Sequence, residues 1–243
     1  MVKIGHKIIA VPERSEYVKR LLDRTGISEN DVLWDNDHNG CMWNAIRAWK
    51  SAIGSGCTHW CVMADDTDVV DGYMDIEKIC VERFPDAIWT FYSNELSAKH
   101  RAANTPYIRL RGYNIRGIAF LMPVEFIEGY VNLCEHMLSE YRYQRDDATC
   151  RIFALLNDIP VMTTIPNLVR SYEIKSAMKG HGITRNSDAW AGYSVSVEQF
   201  CANSAKNVLL MKKSVLETHL RPDNPVDIKV REKWNRMKLL KEI

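Results

Sequence analysis

From the amino terminus to Ser93, short runs rich in β-branched and aromatic residues alternate with segments whose apolar residues recur at helical spacing. VKIGHKIIAVP reads as a strand ending at Pro12, and SEYVKRLLDRTG as a helix stopped by Gly26 in a C-terminal cap. DVLWD is a second strand, and GCMWNAIRAWKSAIGSG a helix with Met42, Ile46, Trp49 and Ile53 near one face. THWCVMA, DGYMDIEKICVERF and DAIWTFYS continue as strand, helix and strand. Such alternation requires crossover connections, which gather parallel strands into one sheet with helices on both faces. The expected fold class is α/β, with a Rossmann-like, mostly parallel sheet.

After Ser93 the rhythm breaks. NELSAKHRAANTPYIRLRGYN is polar and irregular, IRGIAFLMP reads as a strand, VEFIEGYVNLCEHMLSEYR and DDATCRIFALLND as helices, and IPVMTTIP as short and extended. Between Asn167 and Trp190 there is little periodicity, and His181 lies between Gly180 and Gly182 in what reads as a loop able to close over a ligand. The segment VSVEQFCANSAKNVLLMKKSVLETHL and the basic end VDIKVREKWNRMKLLKEI read as helical. With 243 residues and no internal repeat, one main domain is expected.

The charge balance excludes some partners. A net charge of +1 gives no global field to attract nucleic acid, although the tail from Lys206 onward is basic. That tail reads first as a solvated helix face, with a polyanion-binding surface as the minority reading. No segment approaches the roughly 18 consecutive apolar residues of a membrane span, and MVKIGHKIIAVPERSEY has too short an apolar stretch for a signal peptide, so a cytoplasmic protein is expected. Seven cysteines, an odd number without a repeated CxxC pair, point to a reducing compartment and buried thiols. Cys57, His59 and Cys61 would share a strand face, and core packing is favoured over a metal cluster for them.

The stretch HWCVMADDTDVVDGY carries the chemistry. Its apolar run ends in Asp65, Asp66 and Asp68, whose crowded charges repel one another unless a cation joins them. In open α/β sheets ligands bind beyond the carboxyl ends of the strands, and carboxylates are hard ligands suited to Mg²⁺ or Mn²⁺. The alternative is an Asp-rich turn that caps the next helix and faces water. Neither GxGxxG after the first strand nor GxxxxGK[ST] is present, which disfavours dinucleotide-binding Rossmann enzymes and P-loop NTPases.

The segments around this stretch resemble the GT-A superfamily of nucleotide-sugar glycosyltransferases, in particular small bacteriophage-encoded members, from about Lys3 to Trp190. The resemblance implies a GT-A-type catalytic domain over 1–190 with a helical C-terminal extension over 191–243. IIAVPERSEYV is similar to the family's first strand and nucleobase loop, with Val11, Pro12 and Arg14 in matching places, and WDNDHNGCMWNAIRAW to the segment that lines the nucleotide pocket, through Asp35, Gly40 and Asn44. HWCVMADDTDV resembles the strand ending in the metal-binding DxD motif, which implies Asp66 as a ligand of Mn²⁺ or Mg²⁺ with Asp68 or Asp65 as its companion. RGYNIRGIAFLMP looks like the acceptor-side strand, with Gly112, Tyr113 and Gly117 before it, and RDDATCRIFALL like the acidic helix start whose Asp146 or Asp147 is the catalytic base of inverting members. Without the resemblance these two acids read as helix-start residues favoured by the dipole. IPNLVRSYEIKSAMKGHGITRNSDAW is similar to the closing segment, with Ser176, His181 and Arg185 placed to meet a diphosphate; where many relatives carry a histidine after Leu-Val, this chain has Arg170 and Ser171.

The activity so implied is transfer of a sugar from a nucleoside diphosphate sugar, a UDP-sugar first, to an acceptor hydroxyl, with inversion where Asp146 or Asp147 reaches the acceptor and retention where no carboxylate does. The phage-like flavour suggests a hydroxymethylated base in phage DNA as acceptor, in the host cytoplasm, with Lys212, Lys213, Arg221, Arg231 and Lys233 on the backbone phosphates. Cell-envelope glycans and small molecules are the other acceptors weighed. A nucleotidyltransferase and a noncatalytic binding module on the same fold are the competing classes, the first weakened by the lack of a glycine-rich loop in IIAVPERSEY, the second by retention of both acidic sites.

Overall fold

The computed structural model describes residues 1–93, 107–110, 115, 117–172, 174, 190, 192, 195, 197, 200 and 209–210. The elements in chain order are β1 (Ile4–Ala10), α1 (Ser15–Thr25), β2 (Val32–Trp34), α2 (Cys41–Lys50), β3 (His59–Ala64), β4 (Thr67–Val69), α3 (Tyr73–Arg83), β5 (Ile88–Thr90), β6 (Tyr107–Leu110), β7 (Ala119–Pro123), α4 (Ile127–Tyr141), α5 (Asp146–Leu156), β8 (Val161–Thr164), β9 (Val169–Ser171) and β10 (Leu209–Leu210). Eight strands form one sheet in the order β10-β6-β8-β5-β7-β3-β1-β2, while β4 and β9 form a separate antiparallel ribbon. The strands β1, β2, β3, β5 and β8 share one direction, and β6, β7 and β10 oppose it. The sheet is thus mostly parallel, as the alternation predicts.

Strand periodicity decides the two core layers. On one face Ile9, Trp60, Val62, Phe120, Met122 and Val161 pack against Met42 and Trp49 of α2, Tyr130 of α4 and Cys150 of α5. On the other, Ile8, Cys61, Met63, Leu121 and Met162 meet Val18 and Leu21 of α1 and Tyr73, Ile76 and Cys80 of α3. Adjacent strand residues belong to opposite layers, so the strands read as continuous apolar runs, the pattern of a sheet covered on both sides.

Several local expectations are corrected. Ile53 is exposed at 54% because α2 ends at Lys50, so its periodicity stops short of that position. The irregular segment after Ser93 contains β6, and the unpatterned stretch after Asn167 contains β9; both are very short, with pairing partners far away in sequence. Leu209–Leu210, expected to be helical, pairs with Ile108 and Arg109 of β6, since an apolar run this short fits strand and helix equally. Cys57 precedes β3 and packs in the opposite layer from Cys61, so the expected shared face does not form. His59 Nε2 instead sits 2.7 Å from the Pro85 carbonyl. The rest of 191–243, including the basic tail, lies outside the described residues.

Candidate active site

The carboxyl ends of β1 and β3 and the start of the antiparallel β7 meet at one edge of the sheet, where the Ala64 N–H bonds the Ile118 carbonyl at 2.8 Å. Asp65 and Asp66 leave β3 there and face the turn after β1. Asp65 is buried and accepts from the Arg14 guanidinium at 2.7 Å on Oδ1 and from the Val11 N–H at 3.0 Å on Oδ2. Burial pushes its carboxyl above the usual range, while Arg14 pulls against that shift. Pro12 opens the one-turn helix Pro12–Arg14 that aims the Arg14 side chain back at the aspartates.

Asp66 behaves differently. Its Oδ2 accepts from the Ser171 hydroxyl at 2.9 Å and lies 3.7 Å from Arg14, and its side chain keeps 15% exposure. Asp68 is turned into the β4–β9 ribbon opposite Arg170, whose Nε and Nη2 reach its Oδ2 at 2.9 and 2.8 Å; Arg24 stands 3.8 Å from Oδ1. The three aspartates therefore do not point at one spot. For a dication arriving with a phosphate-bearing substrate, one or two protein carboxylates suffice. Asp66 fits that demand through Oδ1, and Asp65 fits it where Arg14 moves to the substrate; Asp68 is held by two arginines.

The helix α2 begins beside this edge. Asp35 is buried, and its carboxylate accepts from Asn39 N–H at 2.9 Å, Asn39 Nδ2 at 3.1 Å and Gly40 N–H at 2.9 Å. Burial alone would raise the Asp35 pKa, but the Gly40 and Asn39 donors outweigh it and leave it below the usual range. Its work is to shape the loop into α2. Gly40 has φ +112°, and a Cβ there would stand 2.6 Å from Gln144 Oε1, so glycine is required. Asn44 is consumed inside the fold, donating to the Leu33 carbonyl at 2.8 Å and accepting from Arg47 at 3.1 Å.

Opposite Gly40, α5 starts with Asp146 and Asp147. Asp146 is buried, its Oδ1 accepts from the Cys41 thiol at 3.8 Å, and its buried Oδ2 has no hydrogen-bond partner among the described residues. Burial, then the charge of Asp147, push its pKa up to about 7. Asp147 keeps 15% side-chain exposure; its Oδ1 accepts from the Ala148 N–H at 2.7 Å, and the Arg145 guanidinium lies 3.6 Å away. Gly117 belongs to the same spot, since a Cβ there would lie 3.2 Å from Asp146 Oδ1.

Cys41 binds the picture together. Its thiol donates to Asp146, and burial, then the charges of Asp146, Asp147, Asp65 and Asp66, raise its pKa, so both acidic pairs are felt at the thiol. Val11, Arg14, Asp35, Gly40, Asp65, Asp66, Gly117, Asp146 and Asp147 are thus gathered at one edge, with Asn44 and Asp68 serving the surrounding framework. Gly112, Tyr113, Ser176, His181 and Arg185 lie outside the described residues. Sequence reasoning missed Cys41, Gln144 and the roles of Ser171 and Arg170 toward Asp66 and Asp68. It also missed the rings of Tyr17 and Tyr172, 4.8 Å apart, which flank Asp66 through the Tyr172 N–H bond to its carbonyl. Only proximity to the acidic motifs in the chain could have signalled Cys41 and Gln144.

The sequence matches no protein-family model. Nor does it match a curated protein. Among solved structures the chain is similar to CMP:2-keto-3-deoxy-manno-octonic acid synthetase complexed with CTP, at 11% identity and a TM-score of 0.38, covering 68% of this chain and 92% of that one. A likeness of that size assigns no chemistry.

Proposed function

We propose that this protein is a metal-dependent glycosyltransferase that moves a sugar from a nucleoside diphosphate sugar to an acceptor hydroxyl with inversion. The observation that carries the reading is two carboxylate pairs of unlike character at one edge of the sheet: Asp65–Asp66, paired with Arg14 and partly open, and Asp146–Asp147, where Asp146 contacts Cys41 and is pushed up to about 7. Strongly shifted acids at the carboxyl edge of an α/β sheet are the usual mark of a reactive site.

A Mn²⁺ or Mg²⁺ ion held by Asp66, with Asp65, would neutralise charge on the departing diphosphate. Arg14 supplies a second positive group beside Asp65 and Asp66, able to turn from one to a phosphate oxygen. The N–H groups at the start of α2, beside Gly40, face the same edge and favour an anion. Asp147, pinned through Oδ1 by the Ala148 N–H, keeps Oδ2 for the acceptor hydroxyl and takes its proton as general base. Asp146, pushed up to about 7, keeps a proton on a large share of molecules near neutral pH and so repels the developing negative charge less than an ordinary carboxylate. The rings of Tyr17 and Tyr172 offer an apolar wall on the donor side.

Donor hydrolysis across UDP-, GDP- and dTDP-sugars with Mn²⁺ tests this reading. Asp66→Ala is expected to abolish metal-dependent nucleotide binding, whereas Asp147→Asn keeps binding and loses turnover by about 10²–10⁴-fold, the usual weight of a general base. Unchanged turnover in Asp147→Asn overturns the base assignment, and pyrophosphate release from a nucleoside triphosphate with a sugar identifies nucleotidyl transfer instead. Hydroxymethylated DNA leads the acceptor arm on the strength of the basic tail from Lys206; a mass increase of one sugar is the expected result, and none on any DNA directs the search to glycans and small molecules.

A further inference from the structure

A second polar cluster lies on the opposite half of β1, away from the acidic edge. His6 of β1 and Cys61 of β3 are register partners and share the face covered by α3. From α3, Glu77 reaches down with no exposure at all, placing Oε2 2.7 Å from His6 Nε2 and accepting the Tyr73 hydroxyl on Oε1 at 3.0 Å. The Tyr73 oxygen is 3.8 Å from Cys61 Sγ. One ligand atom from each of His6, Cys61 and Glu77 lies within 4.8 Å of the other two.

A buried imidazole–carboxylate pair such as His6–Glu77 is costly to desolvate, and replacing one by apolar residues is often neutral or stabilising, so stability alone does not account for it. One imidazole, one thiol and one carboxylate converging from three elements are, by contrast, a ligand set for a borderline-soft dication, and among the common ones the thiol selects Zn²⁺ over Mg²⁺ or Mn²⁺. Metal–ligand bonds of about 2.0–2.3 Å in a tetrahedron put ligand atoms about 3.4–3.6 Å apart. To reach that spacing the His6–Glu77 contact of 2.7 Å opens by about 0.7–0.9 Å, and the Cys61 sulfur already lies within 4.8 Å of both. A cleft of about 190 Å³ lined by Val2, Ile4, His6, Met74, Glu77 and Lys78 leads from the surface to His6 and Glu77, which provides an entry path and room for a water in the fourth position.

We infer that His6, Cys61 and Glu77 form a Zn²⁺ site, oriented through Glu77 by Tyr73 and separate from the proposed sugar-nucleotide edge. His6 lies four residues before Ala10, about 13 Å along the strand at about 3.3 Å per residue. Bound there, the ion ties α3 to β3, which delivers Asp65 and Asp66, and to β1, which leads to Val11 and Arg14. The Cys61 thiol and protonated His6 lose their protons to solvent as the metal binds, and no electron transfer is involved.

The test is a Co²⁺ titration of the full chain after chelator treatment, read by absorbance, with Zn²⁺ as the competitor. The expected result is one equivalent of Co²⁺ with a thiolate-to-cobalt charge-transfer band and the strong visible bands of tetrahedral cobalt, both removed by Zn²⁺. Cys61→Ser abolishes the charge-transfer band, while Cys57→Ser and Asp66→Ala retain it. His6→Gln, at the mouth of the cleft, weakens Zn²⁺ binding at least about 10-fold, the lower bound for loss of even an outer partner of a metal ligand, and it serves where Cys61→Ser does not fold. No charge-transfer band in the wild-type chain overturns the inference, as does a band that survives Cys61→Ser or an unchanged Zn²⁺ affinity in His6→Gln.

Discussion

The thiol of Cys41, first residue of α2, donates to Asp146 Oδ1, first residue of α5, at 3.8 Å, so two helix starts meet at one buried point. The backbone N–H groups of Asp146 and Asp147 at the start of α5 pull the Asp146 carboxyl down, yet burial and the charge of Asp147 push it up to about 7. Environment outweighs the helix dipole there.

That shift has a sign for stability. The Asp146 carboxyl ionises near 3.8 in an unfolded chain and at about 7 in the fold, so between those values the folded state binds the extra proton and stability falls as pH rises. The difference of about 3 units, at about 1.4 kcal/mol each, sets a ceiling on the order of 4 kcal/mol. Relative to wild type, Asp146→Asn is expected to gain stability by a few kcal/mol on going from pH 4 to pH 8, read by urea unfolding at each pH. Parallel pH profiles for the two proteins would show that Asp146 ionises normally in the fold.

Gly40→Ala is expected to destabilise by about 2–3 kcal/mol, because φ +112° is strained for a side chain and the new Cβ meets Gln144. Adding Gln144→Ala removes the clash but not the strain, so the double variant recovers only part of the loss. Full recovery in equilibrium unfolding would place the whole cost in the contact.

Arg14→Ala leaves Asp65 buried without its cation. Breaking such a pair costs about 3–5 kcal/mol, and Asp65→Asn in the same chain is expected to return a large share of it. Urea unfolding of the four proteins gives the coupling; a value near zero contradicts the clamp.

Asp68→Asn separates framework from function. Loss of charge opposite Arg170 is expected to cost about 1.5–3 kcal/mol, while Mn²⁺-dependent nucleotide binding changes little. Asp66→Asn does the reverse, and calorimetric titration of the nucleotide with Mn²⁺ into each variant compares them. Equal loss of binding in both makes Asp68 a ligand as well.

The alternation of strand and helix in the first half is a local pattern, and it is legible because burial on both sheet faces demands apolar runs of strand length while crossover helices demand an amphipathic face. The ends of those strands followed directly, which places Asp65 and Asp66 at the edge. β4, β6, β9 and β10 escaped notice because pairs such as Asp68 with Arg170 stand about a hundred positions apart, and strands of two to four residues have no period to read.

By itself, then, the amino-acid sequence determined the α/β class, the order of its main elements and the arrival of carboxylates where β3 ends and α5 begins. Only the tertiary structure decided what each carboxylate does. Arg14 and Val11 took Asp65, Arg170 and Arg24 took Asp68, the Asn39 and Gly40 amides took Asp35, and Asp66 and Asp147 each kept an oxygen free of protein partners among the described residues. The physical reason is that periodicity encodes burial one element at a time, whereas a charge finds its partner across the whole chain.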